Sequence, residues 1–152
     1  QRMRAPLVFS GETRRLLLQM KFQERLIIAN TLASRLWPLL DGSGVEVLIP
    51  VPLHPRRLFE RGFNQSLLIA RQLAWRLDLP VDHRSLIRRL PTPAQTGLSR
   101  NQRRKNLRQA FAYRPRRPWR HIALIDDVIT TGSTMEACCR ALKQGGIETV
   151  EV

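Results

Sequence analysis

The sequence predicts an α/β fold built on a parallel sheet, and two stretches carry that expectation. In the first, the apolar run His121-Ile-Ala-Leu-Ile125 leads through a polar turn into a helical stretch, Ser133 to Gln144. Gly145-Gly146 then stops the helix, and an apolar alternation begins at Ile147. This is strand, helix, strand, and parallel strands need such a crossover. In the second, Val45-Glu-Val-Leu-Ile49 is rich in β-branched residues and precedes a helical period from about Asn64 to Leu77. Strands alternating with helices define the α/β class.

Each element has a local reason. Ser10 is placed to cap a first helix, with Leu16, Leu17 and Met20 on one face. A second helix is expected from about Gln23 to Trp37, with Leu26, Ile27, Ala33, Leu36 and Trp37 inward and Pro38 ending it. Asp41-Gly-Ser-Gly44 reads as a turn. Pro50-Val-Pro-Leu-His-Pro55 is too proline-rich to continue a central strand. Along the next helix Leu67, Leu68, Leu73, Ala74 and Leu77 share a side, and Asp78-Leu-Pro80 closes it. Leu86 to Leu90 and Ala110 to Tyr113 are short strand candidates. Between them, Thr92 to Arg108 is polar and strongly basic, and Arg114-Pro-Arg-Arg-Pro118 is a polar connector.

The 152 residues make about one domain, and 43% apolar content suffices for a core. Lys and Arg number 26 against 12 Asp and Glu, a formal charge of +14. Such a charge attracts polyanions: nucleic acid, an anionic small molecule or an anionic membrane surface. The plainer alternative is a solvated basic surface. Most of the cations are Arg, which makes planar two-pronged contacts to phosphate. Cys138 and Cys139 are adjacent on a predicted helix, so they point apart and read as small buried residues rather than as a metal site. The lack of a disulfide framework fits a reducing cytoplasm. There is no signal peptide and no apolar run of the length that spans a bilayer. The chain opens at Gln1 and stops at Glu151-Val152 inside an apolar alternation, the pattern of a piece of a longer protein.

The chemistry concentrates at Ile122 to Thr134. Asp126 and Asp127 follow a buried strand, at the end where open α/β sheets bind ligands. The turn Thr130-Thr-Gly-Ser-Thr134 then enters a helix, and Gly132 permits backbone angles closed to other residues. Its N–H groups, its hydroxyls and the helix start together suit a phosphate. The carboxylates suit sugar hydroxyls or a hydrated Mg²⁺. A ligand with both features is a phosphorylated ribose. Helix capping alone would need only one Ser.

This thirteen-residue segment resembles the signature of type I phosphoribosyltransferases, which binds 5-phosphoribosyl 1-pyrophosphate (PRPP). The resemblance implies that fold: a central parallel sheet flanked by helices, with a small hood. It places the ribose on Asp126 and Asp127, as the catalytic pair. The 5-phosphate falls on Thr130, Thr131, Gly132, Ser133 and Thr134. Two further stretches are similar to the ComF/GntX family: Val51-Pro-Leu-His-Pro-Arg-Arg-Leu-Phe-Glu-Arg-Gly-Phe-Asn-Gln65 and Thr92-Pro-Ala-Gln-Thr-Gly-Leu-Ser-Arg-Asn-Gln-Arg-Arg-Lys-Asn-Leu107. Together the resemblances cover most of residues 12–152. They imply a single domain over 1–152, with a helical part at 1–40 and a flexible basic hood loop at 91–110. The family is linked to DNA uptake in competence or to DNA utilization. Its members usually carry an N-terminal zinc ribbon of paired cysteines, and this chain has no such cysteines.

By the same resemblance, the loop Val51, Pro52, Leu53, His54 faces the pyrophosphate, with Arg57 and Arg61 supplying charge and Arg56 nearby. Arg61 is the favoured cation because Gly62 allows close backbone approach, while a lone His such as His54 is more often structural. Arg100, Arg103, Arg104 and Lys105 would close a lid over pyrophosphate or grip nucleic acid. Phe63, Phe111, Tyr113 and Trp119 are candidates to stack bases, though such aromatics are mostly core. No metal is expected on protein side chains alone; Mg²⁺ would arrive with PRPP and meet Asp126 and Asp127. Three functions remain open. One is a PRPP-binding protein of DNA uptake or utilization, with competence or DNA-processing partners. Another is a true phosphoribosyltransferase acting on a nucleobase or other nitrogen acceptor. The last is a non-catalytic single-stranded DNA-binding module or PRPP sensor, although residues 1–40 show no convincing helix-turn-helix.

Overall fold

The computed structural model describes residues 4–7, 10, 11, 15, 25–89 and 109–152. Most of the expected first helix, with Leu16, Leu17 and Met20, and the basic stretch from Leu90 to Arg108, with Arg100, Arg103, Arg104 and Lys105, lie outside the described residues. Among those described, four helices and five strands alternate in α/β order. They are α1 (Arg25–Leu40), β1 (Val47–Pro50), α2 (Pro55–Arg61), α3 (Gln65–Leu77), β2 (Leu86–Arg88), β3 (Phe111–Tyr113), β4 (His121–Ile125), α4 (Ser133–Gln144) and β5 (Thr149–Glu151).

β4 is the centre of a three-stranded parallel sheet ordered β1-β4-β5. Val47 lies opposite Ile122 and Pro50 opposite Ile125, while His121 lies opposite Thr149. β2 and β3 form a separate antiparallel pair, with Leu86 opposite Tyr113. The sequence foresees these strands but not that they pair with each other outside the parallel sheet.

Strand side chains alternate between faces, and the core divides accordingly. Val47, Ile49, Ile122, Leu124 and Val150 pack on Phe111, Leu86 and the α4 residues Cys138 and Leu142. On the other face Leu48, Ala123 and Ile125 meet Ala29, Leu32 and Ala33 of α1 and Ile69, Ala70 and Leu73 of α3. Here two helix faces differ from expectation. Leu26 and Ile27 are 62% and 66% exposed, and Ile28, Ala29 and Leu32 take the inward positions. On α3 the buried stripe is Gln65, Ser66, Ile69, Ala70 and Leu73, so Leu67, Leu68, Ala74 and Leu77 flank it. Runs rich in leucine fit more than one rotation of the helix, and only the partner surface selects among them.

Two prolines also break the expected boundaries. α1 runs through Pro38 to Leu40, and the Asp41 N–H closes the last turn onto the Trp37 carbonyl. So close to the helix end, Pro38 interrupts the ladder without terminating it. Pro50 is the last residue of β1. The Leu48 N–H points away from β4 to the Pro80 carbonyl, whereas the Val51 N–H points to Ile125. By alternation Pro50 lacks its N–H on the side away from β4, where Val81 makes a single bridge.

Helix ends follow their caps. Asn64 Oδ1 accepts from the Ser66 N–H to start α3, and Asp78, in the left-handed region at φ 53°, ends it. After α4 the left-handed residue is Gly146, at φ 97°. Gly145 is required for another reason: a Cβ there would lie 2.3 Å from Cδ1 of Tyr113. Arg4 ties the chain to the sheet by an ion pair with the buried Glu151 at 3.0 Å and a hydrogen bond to the Leu39 carbonyl.

Candidate functional site

Parallel pairing brings the carboxyl ends of β1 and β4 side by side. The Val51 N–H donates to the Ile125 carbonyl at 2.8 Å, so the Val51–His54 loop starts beside the Asp126-Asp127 pair. The Val51–His54 loop and the acid pair thus leave the sheet at the same end.

Asp126 is the most constrained residue here. Its Oδ1 accepts from Ser66 Oγ at 2.9 Å and from the Asp127 N–H at 3.0 Å. Burial first, and then the Asp127 carboxylate, push its pKa up to about 7, against the pull of those two hydrogen bonds. Asp127 is half-buried beside it. A cavity of about 120 Å³ opens next to the pair, with Arg4, Pro6, Leu36, Ile69 and Val128 among its walls.

The turn into α4 leaves its N–H groups available. Gly132 occupies the N-cap position in the left-handed region (φ 71°, ψ −5°), and no side chain caps the helix. Thr131 and Ser133 bond to each other through their hydroxyls at 3.0 Å. Thr130 and Thr131 are exposed, and Gly132, Ser133 and Thr134 are half-buried. The first-turn N–H groups of a helix have no intrahelical acceptor, and here no hydroxyl substitutes for one. A helix start of this kind can accept an anion, and here it follows two acids in the chain.

On the β1 side, the residues divide by role. Val51 is buried, and its carbonyl accepts from Asn64 Nδ2 at 3.0 Å, so both of its backbone groups are taken. Pro52 and Leu53 are half-buried. His54 caps α2, accepting from the Arg56 N–H at 3.3 Å with Pro55 at the first helical position. Arg56 is engaged with Glu60 at 3.0 Å. Arg61 Nη1 donates to the buried Gln65 Oε1 at 3.0 Å, and Gly62 ends α2 in the left-handed region at φ 73°. Of the two arginines assigned to this loop, Arg57 is half-buried and close enough to Arg88 to lower its pKa.

Sequence reasoning missed Asn64, Ser66 and Arg88. Asn64 fastens the loop after β1 to the start of α3, and Ser66 fastens α3 to Asp126. The polar run Asn64-Gln-Ser66 ahead of an apolar helix is the available signal, and by itself it looks like an ordinary helix start. Arg88, half-buried on β2, lies over the Phe111 ring at 5.4 Å. Burial lowers its pKa, Arg57 adds to that, and Cys138 and Asp126 oppose it. Phe111 is thus core, the commoner fate of such aromatics, while Phe63, Tyr113 and Trp119 are half-buried. Among the described residues, no three of His, Cys, Asp and Glu converge as a metal site, and no helix is long and apolar enough to cross a membrane.

An acid pair and an uncapped helix start thus lie at the carboxyl ends of parallel strands in an α/β protein, the end where open sheets of this class bind ligands. Comparison with known proteins narrows this class. The chain is 38% identical over 147 residues to Competence protein F of Haemophilus influenzae and 37% identical over 146 residues to DNA utilization protein YhgH of Escherichia coli O157:H7, each match covering 90% of this chain. It is 36% identical over 100 residues to Competence protein ComFC of Bacillus subtilis, covering 66% of this chain and 39% of that protein. The chain belongs to the ComF family. It spans 64% and 63% of the lengths of the first two relatives. No family model and no solved structure matches it.

Proposed function

We propose that this chain is the PRPP-binding, type I phosphoribosyltransferase-like part of a cytoplasmic DNA-uptake or DNA-utilization protein. The observation that carries the reading is the uncapped start of α4 beside the half-buried Asp126-Asp127 pair. In this arrangement Thr130 to Thr134 hold the 5-phosphate and the carboxylates accept from the ribose hydroxyls. The pyrophosphate extends toward Pro52, Leu53 and His54, with Arg57 and Arg61 as the nearby cations. Two adjacent carboxylates fit a Mg²⁺ that keeps most of its ligands from water and phosphate. The metal supplies charge neutralisation for the pyrophosphate. The names and the match of the relatives support the link to DNA.

Calorimetry with PRPP and MgCl₂ tests the reading. Binding is expected, and its loss is expected in the double variant Asp126→Asn, Asp127→Asn with the fold intact by circular dichroism. An unaltered chain that binds no PRPP refutes it. Assaying pyrophosphate release with each nucleobase separates a transferase from a binding protein. In a transferase the site would act mainly by charge placement around an oxocarbenium-like sugar.

A second reading, binding of single-stranded DNA, is favoured by the charge of +14 and by the relatives' names. Counterion release then makes the affinity fall steeply with salt.

A further inference from the structure

Two clefts larger than the cavity at the acid pair lie at the opposite end of the sheet, where the connector before β4 lines both. One, of about 540 Å³, is walled by Tyr113, Arg116, Arg117, Trp119, Arg120 and Glu148, among others. The other, of about 370 Å³, is walled by Asp82, His83, Arg84 and again Arg116, Arg117 and Trp119. The two share one wall and form a single trough across the amino-terminal ends of β1 and β4.

Its charge is one-sided. Four arginines, Arg84, Arg116, Arg117 and Arg120, face two carboxylates. Both carboxylates are engaged: Asp82 accepts from the Arg84 and Ser85 N–H groups and from Ser85 Oγ, and Glu148 pairs with Arg120 at 3.4 Å. Arg116 and Arg117 are exposed and, among the described residues, form no ion pair; Arg114 is the same just outside the trough. Arg117 instead lies over the half-buried Trp119 ring at 5.8 Å. Trp119 also packs against the core, and the part of it left in the clefts, beside arginines without ion pairs, offers a stacking contact next to a phosphate track.

We infer that this trough is a single-stranded nucleic-acid site, with Trp119 stacking a base and Arg116 and Arg117 on flanking phosphates. The inference rests on the DNA-binding reading above and gives it a location distinct from the ribose-phosphate site. β4 alone sets the two ends about 16 Å apart, at about 3.3 Å for each of its five residues. A strand in the trough and PRPP at Asp126 therefore do not compete for the same surface.

The test is fluorescence anisotropy of a labelled oligothymidylate across a salt series. The exposed pair Arg116→Glu, Arg117→Glu is expected to weaken binding at least tenfold and to flatten the salt slope by about 1.4, roughly 0.7 for each phosphate left without its arginine. Saturating PRPP is expected to leave binding unchanged. Trp119→Phe should retain most of the affinity and Trp119→Leu lose it; should Trp119→Leu fail to fold, the arginine pair decides alone. DNA that binds the charge-reversed pair as tightly as the unaltered chain, or that PRPP displaces, overturns the location while leaving the DNA-binding reading intact. No binding by the unaltered chain at low salt overturns both.

Discussion

Ser66 Oγ donates to Asp126 Oδ1 at 2.9 Å, joining the first turn of α3 to the end of β4. Ser66 is buried and Asp126 nearly so, and the bond holds the acid in place against its own tendency to escape to water. Ser66→Ala removes that hydroxyl donor. The expected cost is about 1–3 kcal/mol, the usual penalty for a buried group left short of a partner. It should be larger at pH 8 than at pH 5, because the ionised carboxylate needs the donor more. Urea denaturation at the two pH values measures the difference.

The raised pKa of Asp126 predicts opposite pH trends for stability and binding. Folding lifts the group from its ordinary 3.8 to about 7, so the folded chain holds an extra proton between those values. That contribution to stability is complete below about 4 and is lost as pH rises through about 7. Asp126→Asn should flatten this part of the curve and raise Tm at pH 8, by about 2–4 °C per kcal/mol in a chain of this size. Affinity for a Mg²⁺-bound phosphoribosyl ligand should instead climb through pH 7 in the native chain. Calorimetric titrations and melting scans at pH 5, 6, 7 and 8 give both curves.

Gly132 offers a cleaner probe of the phosphate turn. A Cβ there meets nothing within 4 Å, so Gly132→Val is strained by φ 71° alone. The expected stability loss is about 1–2 kcal/mol, with loss of PRPP binding. A variant that binds PRPP normally would remove this turn from the site.

Gly145 tests packing at the other end of α4. Gly145→Ala should destabilise by about 1–3 kcal/mol, because its Cβ would overlap the Tyr113 ring. Adding Tyr113→Leu should recover part of the loss. A double-mutant cycle in chemical denaturation reads the coupling.

The cysteines should be inert in the folded chain. Cys138 has no exposed surface and Cys139 has 6%, and burial pushes both thiols up. Ellman's reagent is expected to react slowly with native protein and fully after denaturation. Fast native modification would mean that α4 is packed differently.

Much of this architecture is legible in the residues themselves. β4 and α4 run from His121 to Ile125 and from Ser133 to Gln144, as the apolar run and the Gly145-Gly146 stop indicate. Local sequence settles such elements because strand apolarity and helix punctuation are both written within a few residues. The short α2 escapes such reading: its arginines mask any apolar face, and none of its residues is buried. The rotation of α1 and α3 is illegible because several leucine faces compete and tertiary contact decides. In the site, Asp126, Asp127 and Gly132 stand out by type and spacing. Ser66 and Arg88 do not, since Ser66 bonds Asp126 and Arg88 feels its charge from distant parts of the chain, beyond any periodic pattern.

Pro50 has a consequence beyond local geometry. A strand can recruit a neighbour only as far as its amides allow, and β1 runs out of amides on its outer side at Pro50. The 80–82 segment therefore stops after one bridge instead of zipping onward over the Val51–His54 loop. The same missing donor blunts that rim of the sheet as a template for stray β-segments and so discourages edge-to-edge aggregation.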